Sequence, residues 1–258
     1  MFNLNKLLIV VVVLFTSTFI ISGCAAKKVV IREAIPVSSE AELLGRISEK
    51  NSPAINSLKI YGKGEALVKE KRVKFRIAML LKRPAFHHIE IMSSFGKPII
   101  IVSGDSEASY LTDFKASRIL KSAPPEKILS RVTGITVKSN DLVDIVSGRH
   151  IANVENIKSA DISGNSGFYK ITESTTGENE TTYFFSTATL DLEKTMFHNK
   201  ETGEEESILY NGKDISFINH EGIKSFEITI EELTVNPEIP DETFTLANPL
   251  NLEIEEIQ

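Results

Sequence analysis

Val73-Lys74-Phe75-Arg76-Ile77-Ala78-Met79-Leu80-Leu81 decides the fold class. Val73, Phe75, Ile77, Met79 and Leu81 fall on one face of an extended chain, with Lys74 and Arg76 on the other. This period of two marks a half-buried strand, because successive side chains of a strand point to opposite faces. The charged link Lys69-Glu70-Lys71-Arg72 joins the stretch to residues 60–68, and the two read as a hairpin. Gly62 and Gly64 suit a strand that bends or is closely approached by another group.

Strand patterns continue outward on both sides. Residues 86–92, 98–102 and 109–112 follow, separated by Phe95-Gly96-Lys97 and Gly104-Asp105. After a helical interruption come 167–173, 181–187, 190–198, 206–210, 215–219 and 223–235, punctuated by Gly177, Gly203, Asn211-Gly212 and Glu221-Gly222. The short spacing is that of an antiparallel meander, and it predicts about eleven strands. Three short helices are predicted. The first is capped by Ser38 or Ser39, with Glu42 placed for a capping box, and carries Leu43, Leu44 and Ile47 to an end near Ser52-Pro53. The second starts at Pro124-Pro125, carries Ile128, Leu129 and Val132 and stops at Gly134; the third runs from Ser139 or Asn140 through Leu142, Val143, Ile145 and Val146 to Gly148. The fold class is therefore mainly β. A sheet of this size with one apolar face must close into a barrel or have that face covered, so we expect an unclosed antiparallel β-barrel lidded by the helices.

The N-terminus carries an address. Lys6 is the one basic residue before an aliphatic run over 7–21, interrupted by Thr16-Ser17-Thr18 and closed by Ile21-Ser22-Gly23-Cys24. The run is short of the ~20 apolar residues a membrane-spanning helix needs, and has the make-up of a secretory signal peptide. Its end resembles the bacterial lipobox. That resemblance implies cleavage after Gly23, a diacylglycerol on the Cys24 thiol and acylation of the new amino terminus. Two or more chains hold a protein stably on a membrane, at ~0.8 kcal/mol per buried CH2. Expected boundaries are a signal peptide over 1–23, a lipidated tether over 24–38 and one domain over 39–258.

Composition narrows the chemistry. The net charge is −6 over 258 residues, there is no tryptophan, and Cys24 is the sole cysteine, so no disulfide is available. No long basic tract is present, which argues against nucleic acid and against electrostatic binding to anionic lipid. His87 and His88 are adjacent and would face opposite ways on a strand, and His150, His198 and His220 are isolated, so no metal-ligand spacing exists. Gly164-Asn165-Ser166-Gly167 has its second glycine one residue too early for a nucleophile elbow and reads as a turn. Glu204-Glu205-Glu206 reads as a solvated turn. No cofactor motif and no catalytic constellation is recognised, and a non-enzyme is expected.

Three further stretches carry a resemblance to a known family. They are Ile89-Glu90-Ile91-Met92-Ser93-Ser94-Phe95-Gly96; the pair 129–135 and 142–148; and Pro237-Glu238-Ile239-Pro240-Asp241-Glu242-Thr243-Phe244. In order and spacing they resemble the LolA/LolB family of bacterial lipoprotein-localisation proteins, nearer the membrane-anchored receptor LolB than the soluble carrier LolA. The chain departs from that receptor in having no tryptophan in the third helix, phenylalanine for leucine in the loop, and extra hairpins between Thr176 and Asn219. The resemblance implies an apolar cavity for lipoprotein acyl chains, a place on the periplasmic face of the bacterial outer membrane, and a monomer that helps localise or insert lipoproteins. Its implied partners are acylated proteins or lipids, the outer membrane through the anchor, and a LolA-like periplasmic carrier. Ala25, where aspartate would retain a lipoprotein at the inner membrane under the enterobacterial rule, agrees with outward sorting.

Candidate cavity residues are Phe75, Ile77, Met79, Leu81, Ile91, Phe226 and Ile228 on strands, and Ile128, Leu129, Val132, Leu142 and Ile145 on the lid. Ordinary core packing is the alternative for each. By position in the resembled loop, Phe95 is the membrane-insertion residue; the alternative is that it folds back on the core. A scaffold or sensor lipoprotein on the same fold is the alternative function.

Overall fold

The computed structural model describes residues 33–52, 54–150, 154–174 and 179–257. The signal segment, Cys24 and the first part of the tether lie outside the described residues. From Ala34 onward the chain forms one compact unit.

Its centre is a single 14-stranded sheet. Strands β1 (Ser57–Val68) and β2 (Lys71–Lys82) form the expected hairpin, closed by Lys69 and Glu70, both at positive φ. That is the handedness a two-residue hairpin turn needs. β3 (Phe86–Met92), β4 (Pro98–Gly104), β5 (Ser109–Asp113) and β6 (Arg118–Ser122) extend the sheet one way from β1. The other half comprises β7 (Ile157–Asp161), β8 (Phe168–Ser174), β9 (Glu180–Ser186), β10 (Leu192–His198), β11 (Glu205–Asn211), β12 (Asp214–Ile218) and β13 (Lys224–Val235). Its last strand, β13, returns to pair with β1, so each half is a meander and the two meet at one seam.

The count exceeds the expected one by β6, β7 and β14 (Ile254–Glu256). β14 lies parallel to β6, the one parallel pairing among the described residues, and all three of its residues are exposed, so no apolar alternation betrays it. It pairs along β6, whose other side is taken by β5, and leaves less of that strand open.

The helices are α1 (Glu40–Asn51), α2 (Glu126–Thr133) and α3 (Leu142–Ser147). Ser39 Oγ accepts the Glu42 amide at 3.2 Å, and the Glu42 carboxylate reaches back to the Ser38 amide at 2.9 Å, a capping box displaced by one residue. Leu43 and Ile47 of α1 pack on Tyr169, Ile171 and Phe185 of β8 and β9. α2 ends at Gly134 in the left-handed region, and a 3-10 turn over Ser139–Asp141 leads into α3. β6 stands near one end of the sheet and β7 at the other, so the segment joining them, which contains α2 and α3, runs from one half of the sheet to the other.

Gly62 and Gly64 sit where close approach is required. A bulge falls between Tyr61 and Gly62. A Cβ on Gly64 would stand 2.7 Å from the Phe75 ring, whose centroid is 5.2 Å from that of Phe226. The missing side chain lets two phenylalanines stack across the strand that separates them.

Candidate functional site

The structure brings the expected cavity residues together. Phe75, Ile77, Met79, Leu81, Ile91, Phe226 and Ile228 from the sheet meet Ile128, Leu129, Leu142 and Ile145 from α2 and α3 in one buried cluster, and Val132 packs against it half-buried. Val73, at the far end of the same face of β2, lies beyond this cluster and is exposed. Each fully buried aliphatic or aromatic side chain contributes ~1.5–3 kcal/mol through its removal from water. In this arrangement the side chains pack together beneath α2 and α3.

Polar contacts hold the lid at several points. Ser225 Oγ of β13 donates to the Thr133 carbonyl at 2.6 Å, just before Gly134, where a Cβ would meet the same serine at 2.6 Å. Glu206 of β11 accepts the Thr136 amide at 2.8 Å. Arg83 donates to Asp144 at 2.5 Å and, through Nε, to the Ile55 carbonyl at 2.8 Å.

Phe95 stands at the tip of the β3–β4 turn and is 99% exposed. The turn is closed by Gly96 N–H to Ser93 O at 2.8 Å and by Ser93 N–H to Lys97 O at 2.9 Å. The ring does not fold back on the core. Of the adjacent histidines, His87 is fully buried, while His88 is half-buried and meets Glu90 at 2.9 Å. His87 Nδ1–H donates to the Ala85 carbonyl at 2.9 Å, so Nε2 accepts from the Ser109 hydroxyl at 2.7 Å. Burial depresses its pKa and keeps it neutral.

Sequence reasoning missed a second feature, an open cleft of about 530 Å3 over the outer half of the sheet. One wall is the lid segment, with Lys138, Asp141, Asp144, Ile145 and His150. Facing it are Glu173 of β8, Tyr183 of β9, Phe197 of β10 and Glu206 and Tyr210 of β11. Of the expected cavity residues only Ile145 reaches it. The His150 ring stacks on Tyr183 with centroids 3.6 Å apart, and its Nε2 meets Glu173 Oε1 at 3.0 Å. Burial raises the pKa of Tyr183 and of Tyr210, and likewise holds the Asp141 carboxyl above the ordinary aspartate value. Glu206 corrects the reading of Glu204-Glu205-Glu206 as a solvated turn: it lies on β11, is half-buried and caps the Thr136 amide. On β8, Tyr169, Ile171 and Glu173 alternate inward, and the third is a carboxylate. Among the described residues no group of three or more His, Cys, Asp or Glu side chains is placed to hold a metal ion, and no helix is long and apolar enough to cross a membrane.

No family model matches the sequence, and no curated protein matches it either. Solved structures do match in fold. A LolA superfamily protein from Nitrosomonas europaea superposes with a TM-score of 0.51 at 10% identity, over 81% of this chain and 99% of that one. A domain named as an outer membrane lipoprotein-sorting protein, from Vibrio parahaemolyticus, gives 0.50 at 9% identity, over 78% and 94%. A DUF1329 family protein from Desulfovibrio piger gives 0.50 at 9% identity, over 79% and 94%. At such identities the likeness is one of architecture: a large unclosed β-sheet with helices, the LolA-like fold.

Proposed function

We propose that the chain is an envelope lipoprotein, anchored through Cys24, that binds acyl chains or lipidated protein beneath α2 and α3 and helps localise or insert lipoproteins at the outer membrane. The observation that carries this reading is the joint placement of one continuous apolar cluster under two short helices and a fully exposed Phe95 at the β3–β4 tip. The cluster offers apolar burial for a chain at ~0.8 kcal/mol per methylene, once the helices move aside. The aromatic tip offers a wedge for the bilayer boundary. A lipidated Cys24 and this tip together favour a receptor of the LolB kind over a soluble carrier, with residues 24–38 as its tether and 39–258 as the working domain. The role is binding, with no bond made or broken.

A second reading has its own support. The expected cavity residues are buried in a packed cluster, and the open cleft is lined by charged groups as well as by aromatic and aliphatic ones. A scaffold or sensor that never opens its interior has that arrangement as its resting state. Transfer decides between them. The full-length protein in neutral detergent is mixed with a carrier-bound acylated protein, and the acylated protein is followed by its mobility. Acceptance supports the receptor; refusal of every acylated protein, with full activity of Phe95→Ala in cells, overturns it.

A further inference from the structure

We infer that the turns at one end of the β1–β6 half of the sheet form a contact surface for a phospholipid bilayer carrying anionic headgroups. The inference rests on the reading of Phe95 as a bilayer-facing tip, and adds the class of lipid that its surroundings select. Its ground is a charge pattern that the strand register assembles from dispersed residues.

Arg76 pairs with Met92, and Met92 with Pro98, so the β1–β2 and β3–β4 turns leave the sheet at the same end. Ile100 pairs with Asp113, and Asp113 with Arg118, which brings the β5–β6 turn there as well. These turns and the residues flanking them carry Lys69, Lys71, Lys74, Lys97 and Lys115, all exposed. Among the described residues these lysines form no ion pair, unlike Lys63 and Arg72 further along the same strands. The acids around them are largely engaged. Glu65 meets Arg72 at 3.7 Å, and Asp113 accepts the Lys115 and Ala116 amides, each at 2.9 Å. Glu70 is the one acid within the turns themselves.

Charge elsewhere runs the other way. At the opposite end of this half, Lys82 pairs with Asp241 and Arg83 with Asp144, and the β4–β5 turn carries Asp105 and Glu107. The β10–β11 and β12–β13 turns of the other half bring Glu201, Glu204 and Glu221, against a Lys200 already paired with Glu180. The net charge of −6 therefore conceals a cationic end. The expectation against anionic lipid rested on the lack of a basic tract, and three turns can supply what a tract would.

Apolar groups stand among these lysines. Phe95 is fully exposed at its tip, and Val68 and Val73 beside the β1–β2 turn are exposed too. Such a mixture suits a bilayer interface, where apolar side chains enter the acyl boundary and ammonium groups stay with the phosphates. Separate turn tips meet a lipid surface readily, whereas a protein partner needs a continuous face. The tether allows this approach. Ile35 is held by Thr187 and Tyr169 at the far end of β8 and β9. The chain from Cys24 to Ala34 extends to at most ~36 Å, against ~23 Å for a strand of β8's length.

Lysine acetylation read by mass spectrometry tests this. Full-length protein is reconstituted in vesicles of phosphatidylcholine alone, or with about one-third phosphatidylglycerol to give the surface charge. No acylated cargo is present, so the outcome is independent of acyl-chain transfer. On the anionic vesicles Lys69, Lys71, Lys74, Lys97 and Lys115 should react at least about fivefold more slowly than on neutral ones. Salt at ~1 M should abolish the difference. Lys213, exposed in the β11–β12 turn at the opposite end, should react alike on both. Lys71→Gln combined with Lys74→Gln, both at exposed positions, should return Lys97 and Lys115 toward their rates on neutral vesicles. Equal rates on both vesicles, or slowing shared by Lys213, overturns the surface. Equal slowing on neutral vesicles overturns the anionic preference and leaves the Phe95 reading standing. Transfer of an acylated protein while these lysines stay reactive defeats this inference alone.

Discussion

Arg83 ties β2 to α3: its guanidinium donates to the Asp144 carboxylate at 2.5 Å while its Nε holds the Ile55 carbonyl. Both side chains of the ion pair are about one-third exposed, so the pair is partly screened. Arg83→Ala is expected to cost about 1 kcal/mol of stability. Its sharper effect falls on the lid: amide exchange over residues 142–147 should accelerate relative to β1 and β2. Uniform acceleration throughout would mean that the pair supports the whole domain and not the lid.

Gly64→Ala places a methyl group against the Phe75 ring and the Glu227 carbonyl, which a Cβ would approach to 2.3 Å. Overpacking of this kind costs about 1–3 kcal/mol. Denaturant unfolding of this variant and of Gly203→Ala, where a Cβ meets nothing within 4 Å but φ is positive, separates the close approach from backbone strain. Gly64→Ala should be the more damaging.

Phe95→Ala removes a ring that touches solvent on all sides. Stability should stay within about 0.5 kcal/mol of the parent. Insertion of an acylated protein into vesicles should fall if the tip enters the bilayer boundary, and Phe95→Leu should restore it.

Acid should weaken the fold through His87. Its pKa is depressed in the folded state by burial and sits near 6.5 in the unfolded chain. Between the depressed value and about 6.5 the unfolded chain binds the extra proton, so stability is complete above that range and falls as pH drops through it. The slope approaches about 1.4 kcal/mol per pH unit at most. His87→Gln should flatten the unfolding free energy between pH 6.5 and 5, measured by urea titration at each pH.

Cys24→Ser should abolish incorporation of radiolabelled palmitate and leave the mature mass without its acyl increment by mass spectrometry. Retention of the label would place lipidation elsewhere.

Much of this fold was legible because apolar alternation and burial coincide. Phe75, Ile77, Met79 and Leu81 are buried with charged or half-buried neighbours between them, so period and environment agree. β6 runs Arg-Ile-Leu-Lys-Ser with Ile119 and Leu120 both buried, since its two faces are covered, and alternation disappears. β14 is held by backbone pairing with β6 and by the exposed ion pairs Arg118–Glu255 and Lys121–Glu256, neither of which leaves an apolar pattern in the sequence. The lid was readable from Pro125 and the two left-handed glycines that end its helices. The cleft was not, because its residues come from strands whose adjacency follows from the meander. His150 and Tyr183 are stacked although 33 positions apart in the numbering.

The seam between β1 and β13 sets the order in which this chain can finish folding. Leu58 pairs with Val235, and Ala66 with Phe226, whereas nearly every other ladder joins consecutive strands. Each meander can therefore assemble as its own segment arrives, at low loop-closure cost, but the seam must wait for nearly the whole chain. Until then β1 shows the bare edge of a twelve-residue strand. A chain stalled or clipped before residue 224 keeps that edge open, and such an edge is a template for pairing with other chains. Proteolytic damage near the end of the sequence should thus show itself as self-association before it shows as loss of binding.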